Sequence, residues 1–421
     1  MNFTEEEYPY TVFKRYDNGM YAMRFTLKGH KQIRIGLGTR DLAQAHRLAE
    51  RKYMEAEIRA EEGLLLGVAS FDKLAAEYLS KLENDAGDDP QKLKAYRYAK
   101  GVVDRYLIPF FGRKNISAIQ YKDLVEYTAW RKTYWTTGDG KNIRWLRFDR
   151  GHKNLKRKAP NTEATASTMR REASIVRGVF KQGVEKGFLK ASDIPKQDVG
   201  KVQHKKRPSF TKEQYNHLLD VSQTRIMEVS DRPKFLFERY MLHNFIVIAA
   251  ETGMRTMEMF NLNWGHIEGF EEAIKKPVAE QEISIFAHGK GRLPQRFIPR
   301  KTAISGFEGV YRAFQRQFGK MPQKTDAVFC NYKGERITTF NNSLKTLLKA
   351  ADLEKDAFGN NYTSYCFRHS YATWALQRDP PIDIYTLATN MRTSVEMIER
   401  WYSDVIPADQ ARRLRGDSEW E

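Results

Sequence analysis

The stretch from Thr363 to Tyr402, TSYCFRHSYATWALQRDPPIDIYTLATNMRTSVEMIERWY, constrains this chain more than any other. Phe367, Tyr371, Trp374, Ala375 and Leu376 recur at helical spacing, which predicts a buried helix with Arg368 in its first turn. Free backbone N–H groups and the helix dipole favour an anion at that end, so Arg368 outlines a phosphate site. Downstream, Thr393-Ser-Val-Glu396 reads as a capping box that opens a second helix, with Thr393 as N-cap. Tyr402 lies near the end of that segment, where its hydroxyl can share the same phosphate.

At 421 residues the chain exceeds one ordinary core, and two or three domains are expected. A net charge of +18 suits a polyanion that releases counterions on binding, so nucleic acid is the leading partner. A membrane fits less well. No apolar run approaches the roughly twenty residues of a span, and the start MNFTEEEYPY lacks the basic and apolar regions of a signal peptide. Cys330 and Cys366 make neither a disulfide framework nor a zinc ligand set, which suits a reducing cytoplasm. No EF-hand-like, His-x-x-x-His or clustered Asp pattern is present, and neither a metal nor another cofactor is expected.

Residues Tyr10 to Leu37 predict a small three-stranded sheet. Tyr21, Met23, Phe25 and Leu27 alternate, Ile33, Ile35 and Leu37 do so again, and Asp17-Asn18-Gly19 and Lys28-Gly29-His30 supply turns. Arg24, Lys28, Lys31 and Arg34 then gather away from the apolar face. A helix follows from Asp41, its N-cap, to about Glu62. From Ser70 to about Ile194 the pattern is all helical, in four helices, the second stopped by Pro109 and Gly112. Between Thr136 and Ser167 periodicity fails and a long loop is expected, basic from Lys141 to Lys158. It either orders along DNA or is a solvated insertion. KQDVGKVQHKKRP, Lys196 to Pro208, reads as a cationic linker whose Lys205, Lys206 and Arg207 either touch phosphates or are simply solvated.

Phe210-Thr211-Lys-Glu-Gln214 is a capping box opening a helical region that reaches the apolar run Phe245 to Ala250. Glu251-Thr-Gly-Met-Arg255-Thr-Met-Glu258 follows. Gly253 permits a sharp turn that sets Arg255 at the start of a short helix, and Glu258, one turn on, can hold that arginine. His266 to Ile298 should be strands, with Lys290 and Arg292 at the glycine-flanked tip of a hairpin.

The Arg255 box, the hairpin Lys290, Tyr365-Cys-Phe-Arg368-His369 and the segment Asn390 to Tyr402 together resemble the tyrosine recombinases, or phage integrases. That resemblance implies a multidomain, mainly α architecture with small sheets. An arm-type DNA-binding domain at 1–66 would be a three-stranded sheet plus helix, and a helical core-binding domain would occupy 67–195. A linker at 196–208 would lead to a mixed α+β catalytic domain at 209–421. The implied activity is site-specific recombination through a 3′-phosphotyrosine bond on Tyr402, which integrates or excises a phage or mobile element. The implied partners are double-stranded DNA at core and arm-type sites, a homotetramer, and accessory DNA-bending or excision factors. A type IB topoisomerase-like enzyme and an inactive DNA-binding regulator are the alternatives.

Arg255 and Arg368 would each give paired hydrogen bonds to non-bridging phosphate oxygens, and Lys290 would protonate the departing 5′ oxygen. The chain departs from the family pattern at two positions. Tyr365 stands where a histidine is usual, and Thr393 where a second His or Trp is usual. Tyr365 can still hydrogen-bond the phosphate, whereas His369 projects elsewhere on its helix. Arg24, Lys28, Arg34, Lys205, Lys206, Arg207 and Arg292 are the expected DNA contacts. A short basic helix is plausible beyond Tyr402.

Overall fold

The computed structural model describes residues 8–29, 31–62, 64, 69–150, 153–201, 206–287, 295–378, 380 and 382–402. Its internal contacts divide the chain into two compact units, residues 1–203 and 204–421. Among the described residues no helix is long and apolar enough to cross a membrane.

In the first unit, β1 (Tyr10–Lys14), β2 (Tyr21–Phe25) and β3 (Ile33–Gly36) form an antiparallel sheet in that order. Alternation sends Met23 and Phe25 inward against Ala45 and Ala49 of α1 (Leu42–Glu61), whose N-terminus is capped by Asp41 accepting from Gln44 N. The opposite alternation leaves Arg24 and Arg34 exposed and directly paired across β2 and β3, with Lys28 exposed in the turn between.

A second apolar cluster in this unit gathers Phe71, Val102, Val103, Tyr127 and Val179 from helices α2 (Phe71–Ala86), α3 (Pro90–Val102), α5 (Tyr121–Thr133) and α6 (Ala166–Glu185) and from the turn after α3. Pro109 does not stop the second helix, as the sequence suggests. The chain widens into a π-turn over Val103–Leu107 and continues as α4 (Ile108–Phe111). That puts Pro109 at the start of a new helical piece, where its missing N–H costs nothing, and Gly112 ends the run. The expected long loop is also corrected. Residues Trp145–Arg150 (β4) and Lys153–Lys158 (β5) pair as an antiparallel hairpin, closed at its base where Ala159 N donates to Arg144 O. Leu146 and Ala159 join the helical cluster and fix that base.

The second unit opens with α7 (Lys212–Met227), whose capping box has Thr211 and Gln214 reciprocally bonded, and with α8 (Pro233–Thr252). Helix α8 is apolar on most sides because α7, α11 (Thr302–Phe318) and α13 (Cys366–Gln377) all pack on it. Between α9 (Thr256–Phe260) and α11 stands a three-stranded antiparallel sheet of β6 (Ile267–Glu268), β7 (Ser284–Ala287) and β8 (Gln295–Phe297). His266 to Ile298 is therefore not all strand. Phe270 and Ala273 bury themselves by turning the chain into α10 (Phe270–Ala273), and a 3₁₀ turn follows at Val278–Glu280. Helix α12 (Asn341–Ala350) precedes α13, with α14 (Ile384–Asn390) and α15 (Val395–Met397) beyond. The start of this unit is pinned to α13: Phe210 stacks on Phe367, its N–H donates to Ser370 Oγ, and its carbonyl accepts from Trp374 Nε1.

One buried ion pair gives a direct test of the helical part of the first unit. Arg131 reaches Glu172 through two hydrogen bonds of 2.8 and 2.7 Å and lies 3.7 Å from the centre of the Tyr106 ring. Arg131→Met, which strands the carboxylate, should cost about 3–5 kcal/mol of unfolding free energy in a denaturant titration. Changing Glu172→Leu as well should recover most of that loss.

Candidate active site

Helix α8 ends at Gly253, which adopts a left-handed conformation at φ 59°. A Cβ there would run into the Tyr371 ring, so both conformation and space require glycine. The turn makes Arg255 the residue that leads into α9, with Glu258 one turn on. Arg255 Nη1 donates to Glu258 Oε1 at 2.9 Å, Arg255 N donates to Glu258 Oε2 at 3.0 Å, and Arg255 Nη2 donates to the carbonyl of Arg392 at 3.0 Å. About a third of the Arg255 side chain stays exposed.

Arg368 is the third residue of α13 and is almost fully buried. Its Nη1 donates to Gly253 O at 2.5 Å and its Nη2 to Met391 O at 2.9 Å. The two guanidiniums thus hold the carbonyls of consecutive residues, Met391 and Arg392.

Nothing in the sequence pattern singles out Arg392, yet it is central here. It lies at φ 54°, a conformation that costs a non-glycine residue roughly 1–2 kcal/mol. Its buried guanidinium donates to Glu258 Oε2 and faces the Phe297 ring of β8 at 4.2 Å. Glu258 therefore joins two arginines. Burial raises its carboxyl pKa, but the charge of Arg392 and the hydrogen bonds from Arg255 and Arg392 outweigh that and leave it net below the usual carboxylate range. Asn390 completes the knot: its side chain accepts from Ile298 N at 3.0 Å and donates to Ile298 O at 2.9 Å, as a paired strand would, just beyond β8.

Thr393 is not the N-cap. Ser394 takes that role by accepting from Met397 N, one residue further on, while Thr393 N donates to Ala388 O at 2.9 Å in the turn through Arg392. Tyr365 occupies the N-cap position of α13, half-buried, with the Arg207 guanidinium 4.6 Å above its ring and the His369 ring edge-on at 5.6 Å. His369 is buried rather than turned away. Burial, then the charge of Arg207, bring its pKa down to about 4, while a hydrogen bond to the backbone of Trp401 opposes the drop. A neutral imidazole thereby tethers the residue before Tyr402. The backbone of Tyr402 closes a π-turn over Ile398–Tyr402.

Lys206 and Arg207 are exposed. Lys290, Arg292, Lys205, the residues beyond Tyr402 and the Tyr402 side chain lie outside the described part of the molecule. The strands flanking Lys290 are paired, with Ala287 opposite Gln295. Both cysteines are buried free thiols, and burial raises the pKa of each. Among the described residues no cluster of three His, Cys, Asp or Glu could hold a metal ion.

Two guanidiniums on rigid supports, and a chain segment ending in a tyrosine, are groups whose chemistry suits an oxyanion. Residues 208–406 match the family described as the phage integrase family. That span carries the domain of this family, the tyrosine recombinases. Among solved structures it is similar to a lambda integrase dimer bound to a COC′ core site, at 14% identity and TM-score 0.51 over 97% of this chain and 96% of that one. It is also similar to the Tn1549 transposon integrase in complex with circular intermediate DNA, at 14% identity and TM-score 0.51 over 82% and 99%. A lambda integrase tetramer bound to a Holliday junction aligns at 14% identity and TM-score 0.50 over 93% and 94%. These likenesses establish the fold. No curated protein sequence matches the chain.

Replacing Arg392 tests the knot. Arg392→Gly should lose about 2–4 kcal/mol, because taking one partner from a buried pair costs ~3–5 kcal/mol and the left-handed glycine returns about 1 kcal/mol. The sign of the pH dependence follows from Glu258. With a lowered folded pKa, its contribution is complete above the unfolded value of about 4.3 and is lost as pH falls through the folded value. Denaturant midpoints from pH 7 to pH 3 should show the gap between wild type and variant narrowing at the acid end.

Proposed function

We infer that the protein is a site-specific DNA recombinase that integrates or excises a phage-like or mobile element. The observation that carries this reading is the pairing of Arg255 and Arg368 on consecutive carbonyls, in a chain that carries this family's domain and holds Tyr402 at the nucleophile position. In this reading the Tyr402 hydroxyl attacks phosphorus as its proton leaves. Arg255 and Arg368 neutralise the charge gathering on the non-bridging oxygens. Lys290 gives a proton to the 5′ oxygen as its bond to phosphorus breaks. The product is a 3′-phosphotyrosine ester and a free 5′ hydroxyl. Attack by a 5′ hydroxyl from another strand reverses the chemistry, so neither metal nor ATP is needed.

Glu258 positions Arg255, and Tyr365 offers a hydroxyl to the phosphate. Thr393, released from capping, is a polar neighbour of the site. The DNA contacts are Arg24, Lys28 and Arg34 on the N-terminal sheet, Lys205, Lys206 and Arg207 in the connector, and Arg292 beside Lys290. Separate apolar clusters in the N-terminal sheet and in the helical region support an arm-type domain at 1–66, a core-binding domain at 67–195, a linker at 196–208 and a catalytic domain at 209–421. The lambda integrase tetramer on a Holliday junction supports a tetramer on two duplexes, with accessory DNA-bending or excision factors as further partners. The expected setting is the bacterial cytoplasm, in association with the nucleoid. The N-terminal sheet module argues against a type IB topoisomerase, and the intact arginine pair argues against an inactive regulator.

A nicked suicide duplex carrying the recombination site should trap a covalent adduct with wild type and none with Tyr402→Phe. Arg255→Ala and Arg368→Ala should each slow adduct formation by about 100-fold or more. No adduct from wild type would leave only the regulator. Site-independent plasmid relaxation would point to the topoisomerase.

A further inference from the structure

The hairpin β4–β5 has no part in the chemistry above, and its sequence is out of proportion to a structural role. Between Lys141 and Lys158 stand eight lysines and arginines against one carboxylate, Asp149. The pairing sets Arg147 opposite Lys156, and Trp145 opposite Lys158. Directly opposed residues share a face, so Arg147 and Lys156 form a like-charge cross-strand pair, which destabilises a ribbon in isolation. The face on which this happens is not arbitrary. Leu146 is buried in the helical cluster, and alternation therefore turns Trp145 and Arg147, with Lys156 and Lys158 across from them, to the other side. All four are exposed, Trp145 by 58%. Among the described residues this face presents an exposed indole with three cations, a combination suited to a negatively charged partner.

We propose that this outer face of the hairpin is a second DNA contact of the first unit, holding duplex phosphates through Arg147, Lys156 and Lys158. Trp145 lies against the sugar edge beside them. Shape favours a duplex: a two-stranded ribbon fits the roughly 12 Å width of a major groove, whose two phosphate walls would meet the cations. Such contacts set affinity and register rather than sequence preference. The proposal rests on the recombinase reading for the identity of the polyanion, but its test needs binding alone.

The test compares three forms of the full chain on a fluorescent random-sequence duplex over a range of KCl concentrations. The forms are wild type, Arg147→Ala/Lys156→Ala/Lys158→Ala, and a control with the same charge loss from exposed lysines of the second unit, Lys320→Ala/Lys345→Ala/Lys349→Ala. The hairpin triple should flatten the slope of log K against log salt by about 2–3, near 0.9 for each phosphate that is no longer neutralised, and weaken binding at least tenfold at about 100 mM salt. The control should stay within twofold of wild type. All six substitutions are on exposed side chains, and unchanged thermal melting of each triple checks that folding is intact. Wild-type slope and affinity in the hairpin triple would overturn the proposal, as would an equal loss in the control. Unchanged DNA binding with lost self-association would instead assign the face to a second copy of the chain. A wild type that binds this duplex but forms no Tyr402 adduct on the nicked suicide duplex carrying the recombination site refutes the recombinase reading and leaves the hairpin result standing. A wild type that fails to bind duplex overturns both.

Discussion

Two consecutive carbonyls, those of Met391 and Arg392, hold the arginines of this site in place. A guanidinium free in solution samples many rotamers, and aligning two of them on one phosphate would cost about 2 kcal/mol of side-chain entropy for each. Here that cost is met in folding: Arg368 bridges Gly253 and Met391, and Arg255 bridges Glu258 and Arg392. The bonds to Met391 and Arg392 join segments distant in sequence, so the turn at 390–392 carries the geometry for α8, α9 and α13 together. The Asn390 side chain extends the same knot to the end of β8, the strand that follows the Lys290 segment.

The conformation of Arg392 is intelligible in those terms. Left-handed backbone turns successive carbonyls toward the arginines, and a glycine could do that with less strain. Arginine adds a second cation to Glu258 and a contact with the Phe297 ring. A carboxylate between two guanidiniums stays ionised despite burial, and an ionised Glu258 is what fixes Arg255. His369 serves the other side of the site. Held neutral by burial, it anchors the backbone just ahead of Tyr402 without adding a positive charge beside Arg368.

The parts of the site that obey local rules are legible in the sequence. Gly253 before Arg255, Glu258 one turn later and Arg368 in the first turn of an apolar helix each follow from turn chemistry and periodicity. Arg392 is not legible, because a buried cation at positive φ runs against both the burial and the backbone expectations for arginine. Past that same turn Ser394, not Thr393, is the cap. The hairpin is hidden for a related reason: cations fill many of the positions where alternating apolar residues would announce strands, and among its described side chains only Leu146 is held by the core. Likewise Pro109 marks a helix stop by rule, and a π-turn, which has no sequence signature of its own, carries the helix past it.

In the proposed reaction Arg255 and Arg368 act by neutralising charge on the non-bridging oxygens of one phosphate. The most direct measurement is adduct formation by Arg368→Ala on a suicide duplex whose scissile phosphate is replaced by an uncharged methylphosphonate. With no negative charge left to neutralise, the variant should react far faster on the methylphosphonate than on the ordinary phosphate, with the adduct still on Tyr402. A variant equally inert on both linkages would contradict the account.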